Sequence, residues 1–376
     1  MDIDLVITEL EVGGAERALT QLAVALHHDG DRVRVFSLSP PPKRTELVER
    51  LDRAGIPVCF GSARSWRDIV PLRRRLRAWL RERPEAICQS FLFHANVLTA
   101  TCLESDRRAV AGIRVAERRA VRCIIEKRAL RRFDHVVCVS QAVAQFADSR
   151  LGVTADRCSV IGNAVEADRF RSVDPFDWRS IGWEDESRVA LFIGRFHPQK
   201  NLAALQRTAL SWLADDTSRK LVLVGDGPQR QSLEAWATGI GPDRVRVMPW
   251  QPDVAPLLAA CRVLVLPSRY EGMPNVILEA MAAGRPVVCS RVEGSEELVG
   301  GDDLQSYPPD DDAQLIERMD CFLGDGELAE RVGASNRQRV CDRFSVAKMA
   351  AAYRRTYRTV LASASGPPLS PMSSGF

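Results

Sequence analysis

No apolar run in this 376-residue chain approaches the ~18–20 residues that cross a bilayer. The start, Met1-Asp2-Ile3-Asp4, lacks the basic segment and apolar core of a secretion signal. None of the ten cysteines forms a Cys-x-x-Cys pair. Cys59, Cys88, Cys138, Cys261 and Cys289 sit in or beside apolar runs, as reduced thiols that pack like small hydrophobes do. A cytoplasmic protein with free thiols is expected. Gly-x-Ser-x-Gly, His-Glu-x-x-His and Gly-x-x-x-x-Gly-Lys-Ser/Thr are all missing, which removes the serine-elbow, zincin and P-loop classes. The Asp-x-Asp pattern at Asp2/Asp4 opens a strand rather than following one, so no metal ion under a diphosphate is expected. No heptad series or solenoid period appears.

What remains is globular composition, 45% hydrophobic and 27% charged, with room for two or three domains. Net charge is +3 but unevenly spread. Residues 1–163 carry 27 Lys and Arg against 20 Asp and Glu; the other 213 carry 25 against 29. Short apolar runs alternate with helical patterns through both halves, which predicts doubly wound parallel sheets. The expected class is α/β, with a domain over 1–165, a polar connection over 166–187, a second domain over 188–345, a helix over 346–362 and a disordered tail over 363–376. Two such domains with a ligand motif in each imply a cleft between them. In the first half strands are expected at 3–8, 33–36, 57–60, 86–89, 110–112, 135–139 and 158–161, with a long helix from about 66 to 83.

The most informative stretch is PSRYEGMPNVILEAMAAGRPVV, residues 267–288. An apolar strand precedes it. Pro267, Gly272 and Pro274 break regular structure, a helix begins at Asn275, and Gly284 and Pro286 end it. Glu271 lies in the loop and Glu279 just past the first helical turn. A helix start suits a phosphate and a carboxylate suits vicinal hydroxyls, so the pair fits sugar, diphosphate and ribose of a nucleotide sugar. Two solvated glutamates beside an ordinary connection are the alternative.

Three further stretches fall at strand ends. Gly13-Gly14, between a first strand and a first helix, brings backbone N–H groups close to a phosphate or simply makes a tight turn. Arg195 and Lys200, after the strand over 188–193, place two cations that would neutralise a diphosphate and its developing charge as it leaves; a solvated loop is the other reading. Val224-Gly225-Asp226-Gly227-Pro228 lacks the third glycine of a dinucleotide fingerprint, so no nicotinamide or flavin is expected and Gly225 is read as a turn lining the nucleotide pocket. His94 follows the strand over 86–89 and is either structural or at the site; His197 is ambiguous. A basic surface is expected from the arginines of helix 66–83 and from Arg107, Arg108, Arg118, Arg119, Arg122, Arg128, Arg131 and Arg132. It suits an anionic membrane or acceptor, or is plain solvated charge. Nucleic acid is disfavoured because no aromatic residues are interleaved.

Together these residues resemble the retaining family 4 glycosyltransferases of the GT-B fold. The resemblance runs through Gly13-Gly14-Ala15-Glu16-Arg17, Val139-Ser140, Asn163-Ala164-Val165, Gly194-Arg195 with Lys200-Asn201, Val224 to Pro228 and the 271–288 stretch. The family commonly has Asn-Gly where this chain has Asn163-Ala164, a departure at a turn rather than at the chemistry. The resemblance implies two Rossmann-like domains facing across a cleft and a last helix crossing back to the first. It implies a sugar moved, with retention, from a UDP- or GDP-linked donor to a glycan or lipid-linked acceptor in cell-surface polysaccharide or glycolipid synthesis, without metal or other cofactor. Arg195 and Lys200 would hold the diphosphate, Glu279 the ribose and Glu271 the transferred sugar. N–H groups of Met273, Pro274's successors Asn275 and Val276, and Gly14 would cradle phosphate, and His94 would contact the donor sugar. Peripheral attachment to the inner face of the cytoplasmic membrane is a further expectation. An epimerase or phosphorylase on the same fold, or a non-catalytic sugar-binding subunit, are the other readings.

Overall fold

The computed structural model describes residues 1–63, 65–117, 119–184, 186–214 and 216–363. Arg118 of the expected basic set and residues 364–376 of the expected tail lie outside them. The chain divides into two compact units: residues 1–138, 144–161 and 349 onward form one, and 139–143 with 162–348 the other.

The first unit contains seven parallel strands: β1 (Asp2–Ile7), β2 (Arg32–Ser37), β3 (Val58–Phe60), β4 (Ile87–Phe91), β5 (Ala109–Ile113), β6 (His135–Cys138) and β7 (Cys158–Val160). Their order is β3-β2-β1-β4-β5-β6-β7. The central strands are nearly continuous apolar runs because helices cover both faces of such a sheet. The helices are α1 (Gly14–His28), α2 (Glu46–Arg53), α3 (Ile69–Arg81), α4 (Phe93–Ala100) and α5 (Ala120–Leu130), with α6 (Gln141–Phe146) belonging to this unit from Ala144 onward. The helix expected from 66 to 83 is a 3-10 turn over Trp66–Asp68 followed by α3.

The second unit repeats the plan with β8 (Arg188–Ile193), β9 (Arg219–Val224), β10 (Val245–Met248), β11 (Val263–Leu266), β12 (Val287–Ser290) and β13 (Ser306–Tyr307), in the order β10-β9-β8-β11-β12-β13. Between them run α7 (Leu202–Leu213), α8 (Arg230–Ile240), α9 (Ala255–Ala260), α10 (Asn275–Ala282) and α11 (Glu293–Val299), and after β13 come α12 (Asp312–Gly324) and α13 (Gly326–Arg343). Two tryptophans of the expected connection tie it to this unit: the Trp178 indole donates to the Ala260 carbonyl and that of Trp183 to the Pro242 carbonyl, both at 3.1 Å. The last helix, α14 (Val346–Ala362), belongs to the first unit from Met349 onward. There Tyr353 and Tyr357 are buried, and Arg354 bonds Asp29 and Asp31 at 2.8 Å each.

Part of the basic set is internal. Arg34 and Arg107 both grip the fully buried Asp4, at 2.7 and 2.6 Å, so Asp4 is a structural carboxylate and Arg107 is no surface charge. Burying three charges is tolerable only when they pair and gain further hydrogen bonds, as the Arg107 Nη1 does with the Leu80 and Arg83 carbonyls. Among the described residues no helix is long and apolar enough to cross a membrane.

Candidate functional site

In each sheet the strand order reverses beside the first strand: β1 lies between β2 and β4, and β8 between β9 and β11. Loops leaving carboxyl ends at such a reversal diverge and leave a crevice where ligands bind. The residues expected to meet the donor lie on the loops after β1, β4, β8 and β11, on the turn after β9, or on the helices that those loops open.

In the second unit the loops after β8 and β11 are joined. The Arg269 N–H donates to the Gln199 carbonyl at 2.8 Å, and the Gln199 side chain to the Tyr270 carbonyl at 2.9 Å. This brings Lys200 Nζ to 2.5 Å from Glu271 Oε1. The same oxygen accepts the Ser268 hydroxyl at 2.6 Å, and the Glu271 N–H donates to Glu293 of α11 at 3.2 Å. Glu271 is 6% exposed, so its carboxylate is held in place rather than solvated. Arg195 is exposed, and among the described residues no hydrogen bond or ion pair engages its guanidinium. His197 caps the short turn over Pro198–Lys200, its Nδ1 accepting the Gln199 N–H. That is a structural role.

The turn after β9 rests on the same loop. A Cβ on Gly225 would lie 1.9 Å from the Gly194 carbonyl oxygen, so only glycine permits this approach. The Phe196 N–H then donates to the Asp226 carbonyl at 2.8 Å.

Helix α10 begins at Asn275, as the spacing predicts, and ends with Gly284 in the left-handed region at φ +71°. Its cap residue is Pro274, which has no side-chain acceptor to offer. The first N–H groups of a helix have no partner within it, and here that of Ile277 turns back onto the Pro274 carbonyl at 3.2 Å. An uncapped helix start with its positive dipole end is an anion site. Val276 and Glu279 are half-buried on α10. Met273 is buried and anchored: Asn163 donates its N–H to Met273 Sδ at 3.1 Å and its Nδ2 to the Met273 carbonyl at 2.7 Å.

Three supporting residues escape a reading of the sequence. Ser268 lies inside the singled-out stretch but carries no spacing signal. Asn163 stood out only as a turn. Glu293 lies on α11, a seven-residue helix with Gly294 inside it, which weakens the periodic pattern.

In the first unit Gly13 is the cap residue of α1 and Gly14 its first residue. Glu16 turns back over this start: a Cβ on Gly13 would meet its Oε2 at 2.3 Å. The spacing is that of a capping box, three residues from cap to carboxylate. Burial pushes the Glu16 carboxyl up to about 7, against the hydrogen bond from its own N–H. His94 is the second residue of α4, preceded by Leu92 at φ +75°, a conformation a branched side chain seldom adopts. Its ring meets that of Phe93 edge-on at 5.2 Å. Partial desolvation, and then the Arg122 guanidinium, hold the His94 imidazole below its usual range.

Residues 12–169 match the family model "Glycosyltransferase Family 4", and residues 187–325 match "Glycosyl transferases group 1". The chain belongs to the family 4, group 1 glycosyltransferases, and its two parallel-sheet units are those of the GT-B fold. The lipopolysaccharide core biosynthesis glycosyltransferase LpsE of Rhizobium meliloti (strain 1021) is 30% identical over 225 residues, covering 59% of this chain and 64% of that protein. LpsD of the same organism is 31% identical over 196 residues, covering 52% and 55%. The chain thus spans between about half and two thirds of the length of these relatives. Among solved structures, Anabaena Alr3699/HepE in complex with UDP and glucose superposes with a TM-score of 0.82, over 96% of this chain and 100% of that one, at 20% identity. At that identity the likeness is one of fold.

Proposed function

We propose that this protein transfers a sugar from a nucleotide-diphosphate donor, UDP- or GDP-linked, to a glycan or lipid-linked acceptor with retention of configuration, in the synthesis of a cell-surface polysaccharide or glycolipid. The observation that carries this reading is the Lys200–Glu271 pair, fixed by Ser268 and placed beside the uncapped start of α10. Cation, helix dipole and oriented carboxylate are what a sugar diphosphate needs: positive charge for the phosphates and an acceptor for the hydroxyls. The names of the R. meliloti relatives support a saccharide product, and the UDP and glucose bound by the Anabaena protein support the donor class.

On this reading Arg195 and Lys200 meet the diphosphate, Glu279 the ribose hydroxyls and Glu271 the sugar hydroxyls. As the bond from anomeric carbon to phosphate oxygen breaks, charge grows on the departing diphosphate. The Lys200 and Arg195 cations and the N–H groups opening α10 stabilise it more than they stabilise the bound donor, and this difference accelerates the reaction. The acceptor hydroxyl then bonds to the anomeric carbon and passes its proton to the departing phosphate on the same face. Charge neutralisation by Arg195 and Lys200 requires no metal ion.

The test is incubation of the full-length protein with a panel of UDP- and GDP-sugars, with and without extracted lipid acceptors, while released nucleoside diphosphate is measured. Release with one donor, abolished in Lys200→Ala, is the expected result. No release from any donor under either condition contradicts the proposal.

A further inference from the structure

Helix α5 carries its aliphatic residues on the side away from the core. Val121 and Ile124 are each 70% exposed and Ile125 is 42% exposed, while the inward side holds Glu126 at 5% with Ala129 and Leu130. Positions 121, 124 and 125 fall on one helical stripe. Of the other exposed large aliphatic residues, Ile69 and Val70 sit side by side at the start of α3, without a third on the same helical stripe, while Leu210 and Leu304 stand alone, as is ordinary on a soluble surface. Beside the stripe Arg119, Lys127, Arg128 and Arg131 are exposed. Arg119 has Glu117 at 3.7 Å. Among the described residues no carboxylate pairs with Lys127, Arg128 or Arg131.

We propose that α5 seats the protein on an anionic lipid surface, with Val121, Ile124 and Ile125 entering the interfacial layer and the flanking cations meeting lipid phosphates. The charge favours this occupant over a second copy of the chain. A two-fold contact sets a patch against itself, which would place these arginines against one another. Nucleic acid has no use for the aliphatic stripe, and α5 offers no aromatic ring for a base to stack on. Three aliphatic side chains alone hold a helix weakly at an interface. Adding several cations is what makes such attachment effective and salt-sensitive. Helix α5 packs against α4, with the Arg122 guanidinium 4.2 Å over the Phe93 ring, so a bilayer at α5 lies next to the helix that carries His94. The inference stands apart from the proposed transferase reaction, because a soluble acceptor would leave it intact.

The experiment is sedimentation of full-length protein with vesicles of phosphatidylcholine alone or mixed equally with phosphatidylglycerol. Binding to the mixed vesicles only is expected, weakening as salt is raised. Both Val121→Ser/Ile124→Ser and Arg128→Glu/Arg131→Glu are expected to lower it at least ~10-fold, with circular dichroism and melting unchanged because these side chains are exposed. No binding to mixed vesicles overturns the proposal, as does equal binding by the wild type and Val121→Ser/Ile124→Ser. A dimer seen by light scattering that Ile124→Ser dissolves would overturn it too, by assigning the stripe to a second copy.

Discussion

Lys200 and Glu271 hold one another at 16% and 8% side-chain exposure, and neither charge is indifferent to the loss of its partner. On the proposed reading an arriving diphosphate would compete for Lys200 and free the Glu271 carboxylate for sugar hydroxyls. Lys200→Ala and Glu271→Ala are each expected to lower turnover at least ~10²-fold, because each removes a positioned charge. Glu271→Gln keeps an acceptor for Ser268, so it is expected to melt close to the wild type while still losing turnover. Ser268→Ala removes one neutral-donor hydrogen bond and is expected to lose at most about tenfold. Steady-state rates with the donor found in the panel, read beside thermal melts, separate these outcomes. The two glutamates and two cations were legible in the sequence because strand, proline, glycine and charge coincide there. Ser268, Glu293 and Asn163 were not, since a residue that orients another through one hydrogen bond leaves no periodic trace.

At the scale of elements, α10 is readable to the residue because a proline precedes it and Gly284 with Pro286 closes it. Helices α4, α5 and α11 are not readable in the same way. Helix α5 turns its aliphatic residues outward and buries Glu126, the reverse of the pattern that signals a packed helix. Helix α11 contains Gly294, whose role is steric: a Cβ there would lie 2.0 Å from the Gly272 carbonyl oxygen and 2.9 Å from Met273 Cα. Gly294→Ala is therefore expected to displace the loop before α10, destabilising the second unit by about 1–3 kcal/mol and weakening nucleotide binding in parallel. Calorimetry of the variant reads both. A helix α11 that tolerates alanine with unchanged affinity would mean that the loop does not depend on this contact.

The buried Glu126 gives the first unit a pH signature. Burial pushes its carboxyl from 4.5 up to about 7, opposed by the hydrogen bond from Asn96, and Glu16 is raised to about 7 likewise. Between about pH 4.5 and 7 the folded chain then holds protons that the unfolded chain has released, so stability falls as pH rises through that window. Glu126→Gln keeps the acceptor for Asn96 and removes the charge. It is expected to stabilise the protein above pH 7 by on the order of 3 kcal/mol, and to leave it nearly unchanged below pH 4.5. Urea melts across that range measure the difference.

At the scale of the whole molecule, two sheets with the same reversal of strand order carry their informative loops at the same place in each. That repetition was legible, since alternating apolar runs and helical patterns recur through both halves of the chain. Helix α14 joins the units in sequence, and its membership of the first unit rests on Tyr353, Tyr357 and Val360, all buried there. The Tyr357 hydroxyl bonds Gln89 at 3.4 Å, and its ring lies 5.8 Å from that of Tyr353. Tyr357→Ala is expected to lower the stability of the first unit by about 3–5 kcal/mol, visible as an earlier transition on heating. An unshifted transition would mean that this helix adds little to the unit it packs on.

The central claim is that the second unit binds a nucleoside diphosphate through Arg195, Lys200 and the start of α10. Isothermal titration of UDP and GDP into the full-length protein, and into Arg195→Ala and Lys200→Ala, tests it directly. One of the two nucleotides is expected to bind one to one, with affinity at least ~10-fold weaker in each variant. No binding of either nucleotide, or equal affinity in the wild type and both variants, would contradict the account.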